Sequence, residues 1–382
     1  MNFDAIRCYN DDEIPVVLDR LCNEKQFVNV LSTVYPLVPK DVLKAKLKSF
    51  TKVEDFQKIM VYPFLKYLEE NKSKGISLDG IEKLEEGRKY LYVSNHRDII
   101  LDSALLCSKL IENQLDTVEI AIGDNLLISP WIEDLVRVNK SFIVRRSPGA
   151  KQMLEASQQL AAYIRYAVNE KGQSVWIAQR EGRAKDSNDQ TQESLLKMFN
   201  LCGKDGFAEN LASLHICPVS ISYEFDPCDF LKAREFQLKR DNPEYKKSPL
   251  DDLLNMQTGV MGYKGKVVYR LAGEISEEIK ALASGISNRN ELVSATAKLI
   301  DKHIYTGYEI FTVNKIAYDL LNQQKTYEKY YSLMEKLDFE KYLEKQIEKI
   351  DIENKDFDFL MTKMLEMYSN PLVNHQKTVM GW

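Results

Sequence analysis

His96 is the residue of this sequence whose surroundings best suit acid–base chemistry. It stands in the stretch Asn95-His96-Arg97-Asp98-Ile99-Ile100-Leu101-Asp102, directly after Tyr90-Leu91-Tyr92-Val93-Ser94. The earlier residues are aromatic and β-branched, as in a buried strand, and those from Ile99 to Leu110 recur at helical spacing. His96 is therefore expected where a strand hands over to a helix, at the carboxyl edge of a sheet and near helix N–H groups that favour negative charge. A neutral imidazole there can take a proton near pH 7, and a carboxylate on its other ring nitrogen fixes the tautomer and stabilises the charged form. Asp98 and Asp102 are both close enough in sequence to serve. The competing reading is purely structural: Asp98 caps the helix, and His96 is a hydrogen-bonded histidine of a tight turn.

Three later segments carry further polar chemistry at strand ends. Ser141-Phe142-Ile143-Val144 runs into Arg145-Arg146, and an arginine fork just beyond a strand suits a phosphate or carboxylate. Val175-Trp176-Ile177-Ala178 runs into Gln179-Arg180-Glu181-Gly182-Arg183, a charged turn whose glycine lets backbone approach a ligand. Ile216-Cys217-Pro218-Val219-Ser220-Ile221-Ser222-Tyr223 reads as a strand interrupted early by proline, which suggests an edge, a bulge or a strand start.

The elements that must hold these residues follow from periodicity. Up to about residue 72 the pattern is helical, with Ile14, Val17, Leu18 and Leu21, then Phe27, Val30, Leu31 and Val34, at helical intervals. After a polar linker at 71–75, strands are expected near 76–78, 91–94, 118–122, 141–144, 174–178, 216–223 and 266–271, with helices over 99–112 and 150–170 between them. Such alternation predicts an α/β layer, a central mixed sheet flanked by helices. Residues 186–189 and 240–265 read as loops over a site or surface. From Ser276 the chain returns to helix, in faces of mixed charge such as Tyr327-Glu328-Lys329-Tyr330-Tyr331 that suit solvent, with a loosely held tail from Asn370. The expected organisation is a helical region over 1–72, an α/β catalytic domain over 73–280 and a helical region over 281–382.

Composition narrows the class. A chain of 382 residues with 44% apolar residues can bury a sizeable core. The net charge of -5 argues against general nucleic-acid binding, which needs a basic surplus to displace counterions. Six cysteines without paired metal spacing suggest reduced core thiols of a cytoplasmic protein and no metal site. The amino-terminal residues lack the basic and apolar regions of a signal peptide, and no apolar run has membrane-spanning length.

In this order, the four segments resemble the blocks of the phospholipid and glycerol acyltransferase family. Asn95-His96 with a downstream aspartate is similar to its His-x4-Asp block, Phe142-Ile143-Val144-Arg145 to its second, Glu181-Gly182-Arg183 to its third and Pro218 with its strand to its fourth; the resemblance covers roughly residues 76–275. It implies a glycerol-3-phosphate acyltransferase-like fold and transfer of a fatty acyl group from acyl-CoA or acyl carrier protein to a hydroxyl of glycerol 3-phosphate or 1-acylglycerol 3-phosphate, in phospholipid biosynthesis. It also implies His96 as general base, an aspartate orienting it, Arg145, Arg146 and Arg183 on the acceptor's phosphate, Glu181, Gly182 and Pro218 shaping the pocket, and no metal or other cofactor. A lipid product with no spanning segment implies peripheral contact with the inner face of a membrane.

Position by position, the sequence departs from the block: Leu101 stands where the pattern has aspartate, and Asp102 comes one place later. Asp102 is the favoured partner of His96. Asp98 is accounted for by capping, whereas Asp102 interrupts an apolar run and, one turn into the helix, points back toward the histidine turn. Three other enzyme or binding classes compete. A protein kinase is disfavoured, because the tripeptide His96-Arg97-Asp98 is followed by Ser103 where its catalytic loop needs asparagine, and Asp356-Phe357-Asp358 lacks the metal-loop glycine. A non-catalytic lipid-binding or scaffold protein on the same fold, and a hydrolase in which His96 activates water, remain the alternatives.

Overall fold

The computed structural model describes residues 2–146 and 149–380. Seven strands form one sheet: β1 (Ile76–Asp79), β2 (Leu91–Ser94), β3 (Glu119–Gly123), β4 (Ser141–Val144), β5 (Val175–Ala178), β6 (Ile216–Tyr223) and β7 (Val267–Leu271). Their spatial order is β1-β7-β6-β2-β5-β3-β4. All neighbours pair in parallel except β6 and β7, so the sheet is mixed and β2 lies at its centre.

Side chains alternate between the two faces, as the pleat requires. Leu91, Val93, Val175, Ile177 and Ile216 join one apolar core; Tyr92, Trp176, Cys217, Val219 and Ile221 join the other. The second face is covered by α6 (Leu101–Glu112) with α5 (Tyr62–Lys72). The first is covered by α8 (Ala150–Asn169), α9 (Glu193–Phe199), α10 (Phe207–Ala212), α13 (Ser276–Gly285) and α14 (Arg289–Thr306). Apart from β6 and β7, neighbouring strands pair in parallel through helical crossovers, and burial on both faces explains why they read as continuous apolar runs.

Ahead of the sheet come α1 (Ile14–Asn23), α2 (Lys25–Val34), α3 (Lys40–Lys48) and α4 (Val53–Asp55), with a π-helical stretch Phe56–Val61 leading into α5. Helix α1 buries Ile14, Val17, Leu18 and Leu21, the spacing read from sequence. Helix α2 buries Phe27, Val28 and Leu31 while Val30 is exposed, because packing against α1, α3 and Trp131 selects one of two apolar stripes that periodicity leaves equivalent. This cluster continues onto α7 (Pro130–Val138) through Trp131, Leu135 and Val138. The first residues belong to the sheet layer instead: Ile6 lies in its core and its carbonyl accepts from Ile143 N–H at 2.8 Å, covering the open edge of β4.

Three regions differ from expectation. Residues 240–265 are mostly helix, the end of α11 (Asp229–Asp241) followed by α12 (Pro249–Met261). Helix α14, which lies within the expected carboxyl-terminal region over 281–382, buries Val293, Ala297, Ile300 and Ile304 in the sheet's own core, beside Ile279 of α13. The tail is firmly seated: after α15 (Thr312–Asn322) and α16 (Leu333–Glu348), α17 (Phe357–Met380) runs through Pro371, with Leu372 buried. Five cysteines are buried and Cys202 is exposed.

Candidate active site

Strand β2 ends by a side-chain device. Asn95 is fully buried, and its amide donates to Ile221 C=O at 2.9 Å and accepts from Ile221 N–H at 2.8 Å, extending the β2–β6 pairing by one residue through a side chain. His96 follows at the carboxyl edge. Its Nδ1 lies 2.8 Å from Asp102 Oδ2, and the same oxygen accepts from the N–H groups of Arg97 at 2.6 Å and Asp98 at 3.0 Å. Because a carboxylate only accepts, Nδ1 carries the proton and Nε2 is the basic nitrogen. Asp102 sits in the first turn of α6, where the helix dipole favours its charge and the Cα–Cβ direction carries it back toward the turn. Trp176 presents its ring to the imidazole edge-on, 6.0 Å between centroids at 69°.

The two aspartates divide the work. Asp98 Oδ1 accepts from Ile100 N–H at 2.8 Å and Leu101 N–H at 2.7 Å, capping a helix that starts at Leu101. Leu101, at the position where the block pattern has aspartate, is 1% exposed in the apolar core, so the added turn residue is what lets Asp102 reach the imidazole. Burial and then the charge of Asp102 push the Asp98 carboxyl above its usual range, with Arg183 opposing them.

Of the other expected site residues, Arg183 is near enough to Asp98 for its charge to act on that carboxyl. It is 9% exposed, donates through Nη2 to Asn255 Oδ1 of α12 at 2.9 Å, and leaves a buried Nη1 without a partner among the described residues. Glu181 is exposed, its N–H donating to Gln192 Oε1 at 2.8 Å. Gly182 has φ +70°, which glycine adopts without strain. Arg145 and Arg146 follow β4, the third strand from β2, and at 4.7–4.9 Å per strand they begin about 14 Å from the β2 line. Arg145 is exposed; Arg146 is half-buried against Gly123, its N–H donating to Asp124 Oδ1 at 3.2 Å.

Pro218, where the sequence suggested an edge, a bulge or a strand start, is buried within β6, an interior strand, and is paired opposite Val93. Its carbonyl accepts from Ala272 N–H at 2.9 Å, so its missing donor faces the β7 flank just past Leu271, where β7 ends.

Residues 75–222 match the model of the acyltransferase family. A solved structure, the 1-acyl-sn-glycerophosphate (LPA) acyltransferase PlsC from Thermotoga maritima, is similar over 76% of this chain and 93% of that one, at 10% identity and a TM-score of 0.37. No curated protein matches the chain.

Several groups around His96 carry no sequence motif. Lys232 of α11, 1% exposed, donates to Arg97 C=O at 3.0 Å and is paired with Asp226. Tyr269 of β7 donates to Asp102 C=O at 3.0 Å. Helix α12 lies directly on the turn: Gly259 packs where a Cβ would collide with Asp98 Oδ2. Lys264, just past α12, donates to the carbonyls of Val260 at 3.0 Å and Gly262 at 2.6 Å, and burial pulls its ammonium down to about 8 while Asp98 opposes the shift. The one available signal was a glycine inside 249–261, which reads more readily as a loop than as a close approach. Among the described residues no cluster of three or more His, Cys, Asp or Glu is placed to hold a metal ion.

Proposed function

We propose that this acyltransferase moves a fatty acyl group from a thioester, acyl-CoA or acyl carrier protein, to a hydroxyl of glycerol 3-phosphate or 1-acylglycerol 3-phosphate, with His96 as general base. Nε2 takes the hydroxyl proton as that oxygen attacks the thioester carbonyl. It then returns the proton to the sulfur as the carbon–sulfur bond breaks, and Asp102 holds the imidazole throughout. The observation that carries this reading is the His96 Nδ1–Asp102 contact, with Asp102 further fixed by two backbone donors at the end of the central strand. The acceptor supplies the nucleophile, so the step as written uses no protein serine or cysteine and no metal.

Arg183, buried beside the capping aspartate and with a free Nη1, is the first choice for the acceptor's phosphate. Arg145, with Arg146, is an outer contact for a phosphate of acceptor or donor, and Glu181 and Gly182 shape the turn between them. Contact with a lipid surface is reversible in this reading. No described helix is long and apolar enough to cross a membrane, and the outer face of α12 exposes Leu250, Leu253, Leu254 and Met261.

The test is purified protein offered both thioester carriers against a panel of phosphorylated and plain alcohols. Transfer should occur and fall about a hundredfold to ten-thousandfold in folded His96→Ala. Activity within a few-fold of wild type would overturn the base assignment. Fatty acid released without any acceptor would indicate a hydrolase, and saturable lipid binding without turnover a binding protein.

A further inference from the structure

Arg97 follows the proposed base, yet it is turned away from the site and nearly sealed, at 6% exposure. Its guanidinium Nη2 donates to Asp189 Oδ2 at 2.8 Å, and Asp189 is fully buried. The Tyr308 ring lies 5.6 Å from the guanidinium carbon, and its hydroxyl donates to the same Asp189 oxygen at 2.8 Å. The segment carrying Asp189 is itself tied to α14: Tyr305 donates to Asp189 C=O, and Thr191 donates to Asp301 through N–H at 2.8 Å and Oγ1 at 2.6 Å. The backbone of Arg97 is held too. Its N–H donates to Asp102 Oδ2 at 2.6 Å and its C=O accepts from Lys232 Nζ at 3.0 Å.

We infer that Arg97 is a positioning residue: the buried Arg97–Asp189 pair locks the peptide that donates to Asp102, and so fixes the carboxylate that orients His96. Three fixed points, Asp189, Lys232 and Asp102, determine the rotation of the 96–98 peptides. Freeing the side chain lets those peptides turn, which withdraws a donor from Asp102 Oδ2 and shifts the imidazole. The charge of Arg97 is matched by Asp189 inside the core; Nη1 has no partner among the described residues and borders a small cavity lined also by Asp226 and Tyr368, and the link to Asp102 runs through the Arg97 backbone. Asp189 and Tyr308 are reached through a turn and a helix whose sequences carry no motif, so the pair depends on long-range packing.

This inference rests on His96 acting as base, and the experiment separates the two. The first readout needs no substrate: the low-field proton resonance of an Nδ1–H bonded to a carboxylate, in ring-15N-histidine-labelled protein, assigned by its absence in His96→Gln. The second is steady-state acyl transfer. In Asp189→Asn the resonance should move or vanish, and kcat should fall about tenfold to a hundredfold, as for a small misplacement of a reacting group, while KM for both substrates changes by less than about threefold. Arg97→Met should behave alike, and Arg97→Lys, which keeps a cation for Asp189, should recover most of both. Should Asp189→Asn not fold, the Arg97→Met and Arg97→Lys pair gives the same comparison. An unchanged resonance with unchanged kcat overturns the inference, as does a loss confined to KM. Loss of the resonance in a protein that never transfers acyl groups would support the lock and remove the proposed reaction.

Discussion

Residues 75–222 and residues 223–380 contribute to the candidate site in different ways. The first stretch holds the groups suited to chemistry: His96, Asp102, Asp98 and Arg183, on β2, its following helix and the turn after β5. The second supplies what keeps them still: Lys232 on the carbonyl of Arg97, Tyr269 on that of Asp102, Asn255 on Arg183, Gly259 against Asp98 and Tyr308 on Asp189. The reacting groups are local in sequence and polar. Their supports are scattered and mostly buried, so changes in the two regions should differ in kind, the first on the chemical step and the second on geometry and stability.

The largest effect expected is inside the first stretch. Asp102→Asn should reduce transfer about a hundredfold to ten-thousandfold in a protein whose circular dichroism is unchanged, because the amide no longer selects the tautomer with a basic Nε2. Asp98→Asn keeps an oxygen to cap Ile100 and Leu101 and should cost less than about tenfold. The reverse outcome, with Asp98→Asn inactive and Asp102→Asn intact, would assign the shorter His-x-Asp pair.

Next come the two arginines, which separate the middle of the sheet edge from its far end. Arg183→Ala should weaken a phosphorylated acceptor about tenfold to a hundredfold, the worth of roughly 1.5–3 kcal/mol for a charged hydrogen bond. Arg145→Ala, exposed beyond β4, should cost only a few-fold. Kinetics with a plain alcohol decide the role: an equal loss there would make Arg183 structural.

Smaller still is Gly259→Ala, which tests whether the second stretch supports the first. The added methyl meets Asp98 Oδ2, so α12 must lift or the cap must turn. Overpacking of this kind costs about 1–3 kcal/mol. A lowered melting temperature with a few-fold loss of transfer is expected, and an unchanged melt would mean that α12 does not bear on the turn.

The last prediction should leave transfer untouched. Asp229 is buried beneath the carboxyl-terminal helices, accepting from Tyr342 Oη at 2.6 Å, Tyr368 Oη at 2.8 Å and Gln346 Nε2 at 2.6 Å. Burial outweighs these donors and pushes its carboxyl up to about 6 from the usual 3.8. A carboxyl whose folded value is raised binds its proton more tightly in the native state. Its contribution to stability is therefore full below the unfolded value of 3.8 and is lost as pH rises through about 6. Denaturation of wild type against Asp229→Asn should show the wild type's relative stability falling across this window, by up to about 3 kcal/mol. A pH-independent difference would contradict the shift.

Much of the sheet was legible. Leu91–Ser94, Ser141–Val144 and Ile216–Tyr223 have the bounds their sequence predicts, because apolar runs buried on both faces and bounded by polar turns carry their own signal. Helix α12 was not legible: it turns Leu250, Leu253, Leu254 and Met261 outward and buries Asn255 and Gly259, the reverse of the pattern by which a surface helix is recognised. Asp189 was hidden in the same way, since a polar turn at 186–189 reads as surface while its carboxylate is fully buried against Arg97.

The sequence by itself favoured Asp102 over Asp98 as the partner of His96. A strand, a capped turn and a first helical turn span only those few residues, and the helical side-chain direction carries Asp102 back toward the histidine turn. Only the tertiary structure decided which arginine lies beside that pair. Strand order sets the distance: β5 comes to lie next to β2, with Arg183 at its end, while β4 is carried to the edge with Arg145. The order of parallel strands follows from how the crossover helices pack on the sheet's two faces, a property of the whole core that no short stretch of sequence contains.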